Sequence, residues 1–130
     1  MKTLEEVRNI FLQDRFATEN GAVIEEFDTG YAKCSLEITA RHRNAVGALM
    51  GGVPFVLADF AFAVAVNHEQ MRTVSLSSSI TYLGVPKGKR LIAEARAVKD
   101  GRSTCYYRVT LTDELGTQVA EVVINGFHKQ

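Results

Sequence analysis

At 130 residues, 46% hydrophobic and 23% charged, the chain has the length and composition for a single domain, residues 1–130, with a real core. Lys plus Arg and Asp plus Glu number 15 each, which leaves no electrostatic footprint for nucleic acid or an anionic membrane and favours a small-molecule partner. Cys34 and Cys105 follow no signal-like N-terminus and lack metal-type spacing, so they fit reduced thiols of a cytoplasmic protein, with a disulfide between them as the open alternative.

Thr3 and Glu6 form a capping-box pattern, and Leu4, Val7, Ile10 and Phe11 recur at helical spacing, so residues 3 to about 16 are expected to form an amphipathic surface helix. Ala22 to Phe27 reads as a strand and Asp28-Thr29-Gly30 as a turn. The alternation of Ala32, Cys34, Leu36 and Ile38 with polar residues then predicts a half-buried strand that completes a hairpin. After a loop at 39–50, residues 52–67 are expected to be helical, started by Gly51-Gly52 with Pro54 in the first turn, where its missing N–H does no harm. Thr73 to Leu83, Arg90 to Lys99, Ser103 to Thr112 and Gln118 to Phe127 read as four strands of one meander, separated by turn signals. The order predicts an α+β domain in which a curved antiparallel sheet wraps one long apolar helix, and a sheet with open edges favours a dimer or a dimer of dimers.

The helix is the informative element. The twenty-two residues AVGALMGGVPFVLADFAFAVAV carry one charge, Asp59. Pro54 and the central Asp59 speak against a membrane span. A helix apolar on every face must be wrapped by other structure, and a carboxylate there costs several kcal/mol unless it is hydrogen-bonded or hydrated, so Asp59 reads as a site residue or, in the plainer reading, as a structural Asp that caps a neighbouring loop. His42, His68 and His128 form no HxH or HxxxH pair, so no metal is expected. No G-x-S-x-G elbow, Walker loop or G-x-G-x-x-G motif occurs.

The run Asn44-Ala45-Val46-Gly47-Ala48-Leu49-Met50-Gly51-Gly52 followed by Leu57-Ala58-Asp59-Phe60-Ala61 resembles the N-x-x-G-x-x-H-G-G and L-x-D-x-A signature of hotdog-fold acyl-CoA thioesterases of the phenylacetate-pathway, PaaI-like branch. Val74-Ser75, Ile80-Thr81-Tyr82, Gly101-Arg102 and Gly116 with Ala120 fall where such proteins have strand and turn markers, and the likeness covers about residues 16 to 127. One departure stands out: Met50 occupies the position of the family histidine, and a thioether cannot donate a hydrogen bond.

The resemblance implies hydrolysis of a small aromatic or short- to medium-chain acyl-CoA, with coenzyme A as part of the substrate, no separate cofactor, and sites shared across a homodimer or homotetramer interface. Gly51 reads either as the oxyanion donor, through its N–H, or as a close-packing glycine, and Asp59 as the general base or the nucleophile. Asn44 reads either as a substrate contact or as a turn former, and Ser75 either as a holder of the attacking water or as one of a solvent-facing stripe with Thr73, Ser77, Ser79 and Thr81. Arg102 and Lys99, and the turn bearing Lys87, Lys89 and Arg90, are candidate phosphate contacts or solvated turns. Met50, Gly52, Phe55, Phe60 and Phe62 line the acyl path or belong to the core. The alternative is a non-catalytic acyl-CoA binding protein, which Met50 supports.

Overall fold

The computed structural model describes residues 1–130. Thr3 caps the first helix, α1 (Leu4–Phe11), as its residue types predict: the Glu6 N–H donates to Thr3 Oγ1 at 3.1 Å and the Thr3 N–H to Glu6 Oε1 at 2.8 Å. The expected single helix to residue 16 is interrupted. The chain turns at residues 12–14 and restarts as α2 (Arg15–Glu19), because Val7 and Phe11 bury against one part of the core while Ala17 must bury against another.

Six strands follow the expected segments within a residue or two: β1 (Val23–Asp28), β2 (Tyr31–Glu37), β3 (Thr73–Tyr82), β4 (Arg90–Asp100), β5 (Thr104–Asp113) and β6 (Gln118–His128). All neighbours are antiparallel, in the order β1-β2-β4-β5-β6-β3. The predicted four-strand meander therefore fails at its first member. Only β4, β5 and β6 form a meander, while β3 leaves the expected place beside β4 and pairs with β6 at the sheet edge. The connection 83–89 makes this possible: three strand spacings amount to roughly 14 Å, within the reach of about seven extended residues.

The long helix α3 (Gly52–Asn67) lies across the concave side, packed most closely on β2 and β4. Ala32, Ala93 and Ala95 sit beneath it, fully buried, and their small side chains let the helix backbone approach the sheet. Leu57, Phe60, Ala61 and Val64 fill the space between, with Phe62 edge-on to Tyr107 at 5.3 Å and Phe11 edge-on to Phe60 at 6.1 Å. No helix is long and apolar enough to cross a membrane.

Asp113 holds the crossover to the β5–β6 turn. Its Oδ2 accepts the N–H groups of Lys87 and Gly88 at 2.8 and 2.9 Å, and its Oδ1 those of Leu115 and Thr117 at 3.0 and 2.8 Å. Burial pushes this carboxyl towards the neutral form, but the converging N–H groups outweigh it and hold the pKa far below the usual carboxylate range. Stability from Asp113 is thus present above the ordinary pKa of about 3.9 and lost as pH falls towards the depressed folded value. Asp113→Asn should lower the thermal midpoint at pH 7, and the gap from wild type should narrow as a melting series is carried to acid pH.

Candidate active site

At the start of α3 the two glycines are closely approached by side chains. A Cβ on Gly51 would lie 2.9 Å from Tyr82 Oη, and one on Gly52 would lie 2.9 Å from Met50 Cε. The Tyr82 hydroxyl donates to the Gly51 carbonyl at 2.7 Å, which fixes the N-cap residue without occupying its N–H. Neither the Gly51 nor the Gly52 N–H has a protein acceptor, so both donors at the positive end of a sixteen-residue helix are open to a ligand. Gly51 therefore combines close packing with a free donor, and the two readings of that residue are compatible.

Asn44 is a turn former here. Its Oδ1 accepts the N–H groups of Val46 and Ala48, both at 3.1 Å, and its own N–H donates to the Ala48 carbonyl at 2.8 Å, around Gly47 with φ +83°. The buried His42 anchors the same loop through a 2.7 Å contact between Nε2 and the Asn20 carbonyl, and its carbonyl accepts the Met50 N–H at 2.9 Å.

Asp59 is not where an all-round apolar helix would put it. The side chain is exposed, because the sheet covers one side of α3 and the N-terminal helices cover only part of the other. Gly52, Val56, Asp59, Ala63 and Val66, spaced at 4, 3, 4 and 3 residues, form one stripe along the helix that is left partly open, with the carboxylate at its centre. Beside it lies a cleft of about 140 Å³ walled by Phe16, Phe55, Val56 and Phe60. A second, mainly apolar cavity of about 220 Å³ shares Phe16 and Val56 with that cleft and continues past Val53 to Met50 and Gly52. Met50 is 49% exposed, so Met50 and Phe55 border space that a ligand could use, whereas Phe60 and Phe62 are core residues.

Asp14 enters the same cleft and was not anticipated from the sequence. It stands at the N-cap of α2 yet makes no capping hydrogen bond, and its side chain lines the cleft with Asp59. The apolar walls of the cleft partly desolvate both carboxyls and raise their pKa, and the Asp14 charge raises that of Asp59 further. The sequence signal was an Asp in capping position, which ordinarily reads as a cap.

The remaining candidates lie apart. A bulge between Ser75 and Ser77 splits the expected hydroxyl stripe: Thr73 and Ser75 pair with His128 and Gly126 on the helix side, while Ser77, Ser79 and Thr81 pair with Asn125, Val123 and Glu121 on the outer side. Ser75, Lys99 and Arg102 stand at the end of the sheet near the α3 C-terminus, as shown by the Asn67 amide donating to the Thr73 carbonyl and by the Thr73 and Thr104 pairings with β6. Gly51 is at the opposite end, in a hollow with Leu83, Gly84, Val85 and Pro86. One chain therefore does not bring Gly51 together with Ser75 or Arg102. Arg90 is already engaged by Glu25 and Ser35, which removes it as a free phosphate contact. His128, isolated in sequence, is brought by the fold to Cys105 and Asp100.

The sequence profile described as the Thioesterase superfamily matches residues 46–120, more than half of the chain and the part that carries the glycine start, α3 and most of the sheet. The chain belongs to the thioesterase superfamily. Its hotdog fold and its sequence place it in the PaaI-like branch, among thioester hydrolases. This thioesterase is 28% identical over 120 residues to the acyl-coenzyme A thioesterase PaaI of Escherichia coli, a match covering 92% of this chain and 86% of that one. It is 35% identical over 100 residues to an Archaeoglobus fulgidus protein classed only provisionally as an esterase, a match that covers 76% of this chain but spans only 65% of that relative's length. A Streptococcus mutans protein solved with acetyl-CoA bound superposes with a TM-score of 0.75 at 28% identity, over 85% of this chain and 92% of that one.

Proposed function

We propose that this thioesterase hydrolyses an acyl-CoA with a small aromatic or short- to medium-chain acyl group, at a site completed by a second copy of the chain. The observation that carries the reading is Asp59 at the centre of an uncovered apolar stripe whose helix begins with unpaired N–H donors. Seven helical residues separate Gly52 from Asp59 by about 10 Å, too far for both to serve one carbonyl. An antiparallel partner along the free edge of β3, where Val74 and Leu76 are exposed, turns the Ser75 and Arg102 end of one copy towards the Gly51 end of the other.

In this scheme the Gly51 N–H of one copy polarises the thioester oxygen, with roughly 2.7–4 kcal/mol of transition-state stabilisation for one well-placed donor. Asp59 of the other copy takes a proton from the attacking water, or attacks the carbonyl itself. The tetrahedral centre then collapses, the C–S bond breaks, and the thiolate leaves to be protonated; where Asp59 attacks, the product of this step is an acyl anhydride on Asp59, which water then hydrolyses to the free acid and the Asp59 carboxylate. Asp14 is a positioning residue: by raising the Asp59 pKa it makes that carboxylate a stronger base. The acyl group occupies the adjoining cleft and cavity, bordered by Phe55 and Met50 respectively, and Arg102 with Lys99 meets the phosphates. Ser75 holds the water beside Asp59, and Asn44 acts by shaping the loop before Gly51. Coenzyme A enters as part of the substrate, the chemistry calls on no other cofactor, and the free, buried Cys34 and Cys105 suit a reducing cytoplasm.

Thiol release from a panel of aromatic, short-, medium- and long-chain acyl-CoAs tests this reading. Small aromatic or short- to medium-chain substrates should turn over best. Saturable binding with no thiol released from any member of the panel would instead assign Met50 the decisive role and leave a non-catalytic acyl-CoA binding protein.

A further inference from the structure

Away from Asp59, the inner end of the sheet gathers three different metal-binding side chains from three strands. Asp100 closes β4, Cys105 is the second residue of β5 and His128 ends β6, and one ligand atom from each lies within 4.8 Å of the others. Register explains the meeting: Asp100 pairs with Cys105, Cys105 with Gly126, and His128 stands two residues beyond on the same face. Gly126 is what makes room, since a Cβ there would fall 2.7 Å from Cys105 Sγ. Cys105 and His128 are buried and Asp100 is exposed, so the cluster has a dry floor and a solvent-side entrance.

We infer that Asp100, Cys105 and His128 form a zinc-type site with water as fourth ligand. The donor set of thiolate, imidazole and carboxylate suits a tetrahedral ion at about 2.3 Å from sulfur and about 2.0–2.2 Å from nitrogen and oxygen, and the observed spacing needs only small side-chain adjustments to reach it. His128 is already oriented for the role. Its Nε2 lies 2.7 Å from Asp100 Oδ1 and its Nδ1 lies 2.7 Å from Thr73 Oγ1, the outer partner that ligating histidines ordinarily have. Without metal, the Thr73 hydroxyl donates to Nδ1 and the Nε2 proton goes to Asp100. With metal, the imidazole proton moves to Nδ1 and is donated to Thr73 Oγ1, Nε2 binds the ion, and the Cys105 thiol proton is released to solvent. The ion would join β4, β5 and β6 directly and β3 through Thr73, thereby bracing the edge strand two residues before Ser75. This inference does not depend on the catalytic scheme.

The test is a titration of chelator-treated full-length protein with Co²⁺, followed by Zn²⁺. One Co²⁺ per chain should bind with a thiolate-to-metal absorption band that Zn²⁺ abolishes, and Zn²⁺ should raise the thermal midpoint. Cys105→Ser should lose the band, the exposed Asp100→Asn should weaken binding with its fold intact, and Thr73→Val should weaken it about 10- to 100-fold. Cys34→Ser should leave the band unchanged. Absence of the band at millimolar Co²⁺ in folded wild type, or its survival in Cys105→Ser, would overturn the site.

Discussion

Asp59→Asn should lower kcat by about 10²–10⁴-fold, the usual worth of a positioned base, with a much smaller effect on KM. The amide keeps the shape of the side chain but can neither accept the water proton nor attack. Stability should move the other way. The folded pKa of Asp59 is raised, first by burial and then by Asp14, so its stabilising influence is present below the unfolded pKa and lost as pH rises through the folded value. The ionised form is the costly one in the folded protein, and the Asn variant, which carries no charge, should melt no lower than wild type. The same shift places the acid limb of kcat/KM above the ordinary Asp pKa of about 3.9. Asp14→Asn removes the like charge and should move that limb to lower pH while plateau turnover survives. A limb that stays in place in Asp14→Asn would remove Asp14 from the scheme, and an Asp59→Asn enzyme of near wild-type turnover would remove Asp59.

Local signals carried much of the fold. The glycine pair, Pro54 and the unbroken apolar run marked α3 at its observed bounds of 52–67, and alternation with turn residues marked the strands. Partner choice was not local. The place of β3 beside β6 depends on the crossover 83–89 and on Asp113 and Glu114, whose carboxylates accept the backbone N–H groups of Lys87 to Arg90; read along the chain, they are only turn acids. The bulge after Ser75 likewise has no mark in a run of alternating hydroxyls, yet it reverses which residues face α3. Asp59 stood out as a lone charge. That it is exposed, and that Asp14 shares its cleft, follows from how α2 sits against α3, a matter of packing that periodicity does not report.

Mixing two inactive proteins should restore activity. Gly51→Val blocks the oxyanion end, since even a Cβ there meets the Tyr82 hydroxyl, and leaves Asp59 intact. Asp59→Asn has the opposite defect. If each site takes Gly51 from one copy and Asp59 from the other, a mixed dimer contains one doubly defective site and one wholly wild-type site. Random exchange puts half of the chains in mixed dimers, so an equimolar mixture should recover about a quarter of wild-type kcat per chain, against almost none for either variant alone. Placing Asp at both Val74 and Leu76 in β3 should prevent the recovery by charging the edge through which the copies pair, and sedimentation should then show a monomer with the activity lost. No recovery in mixtures shown by native mass spectrometry to contain the mixed dimer would mean that one chain supplies both groups. In that case α3 would have to close the roughly 10 Å between them by a movement of its first turn.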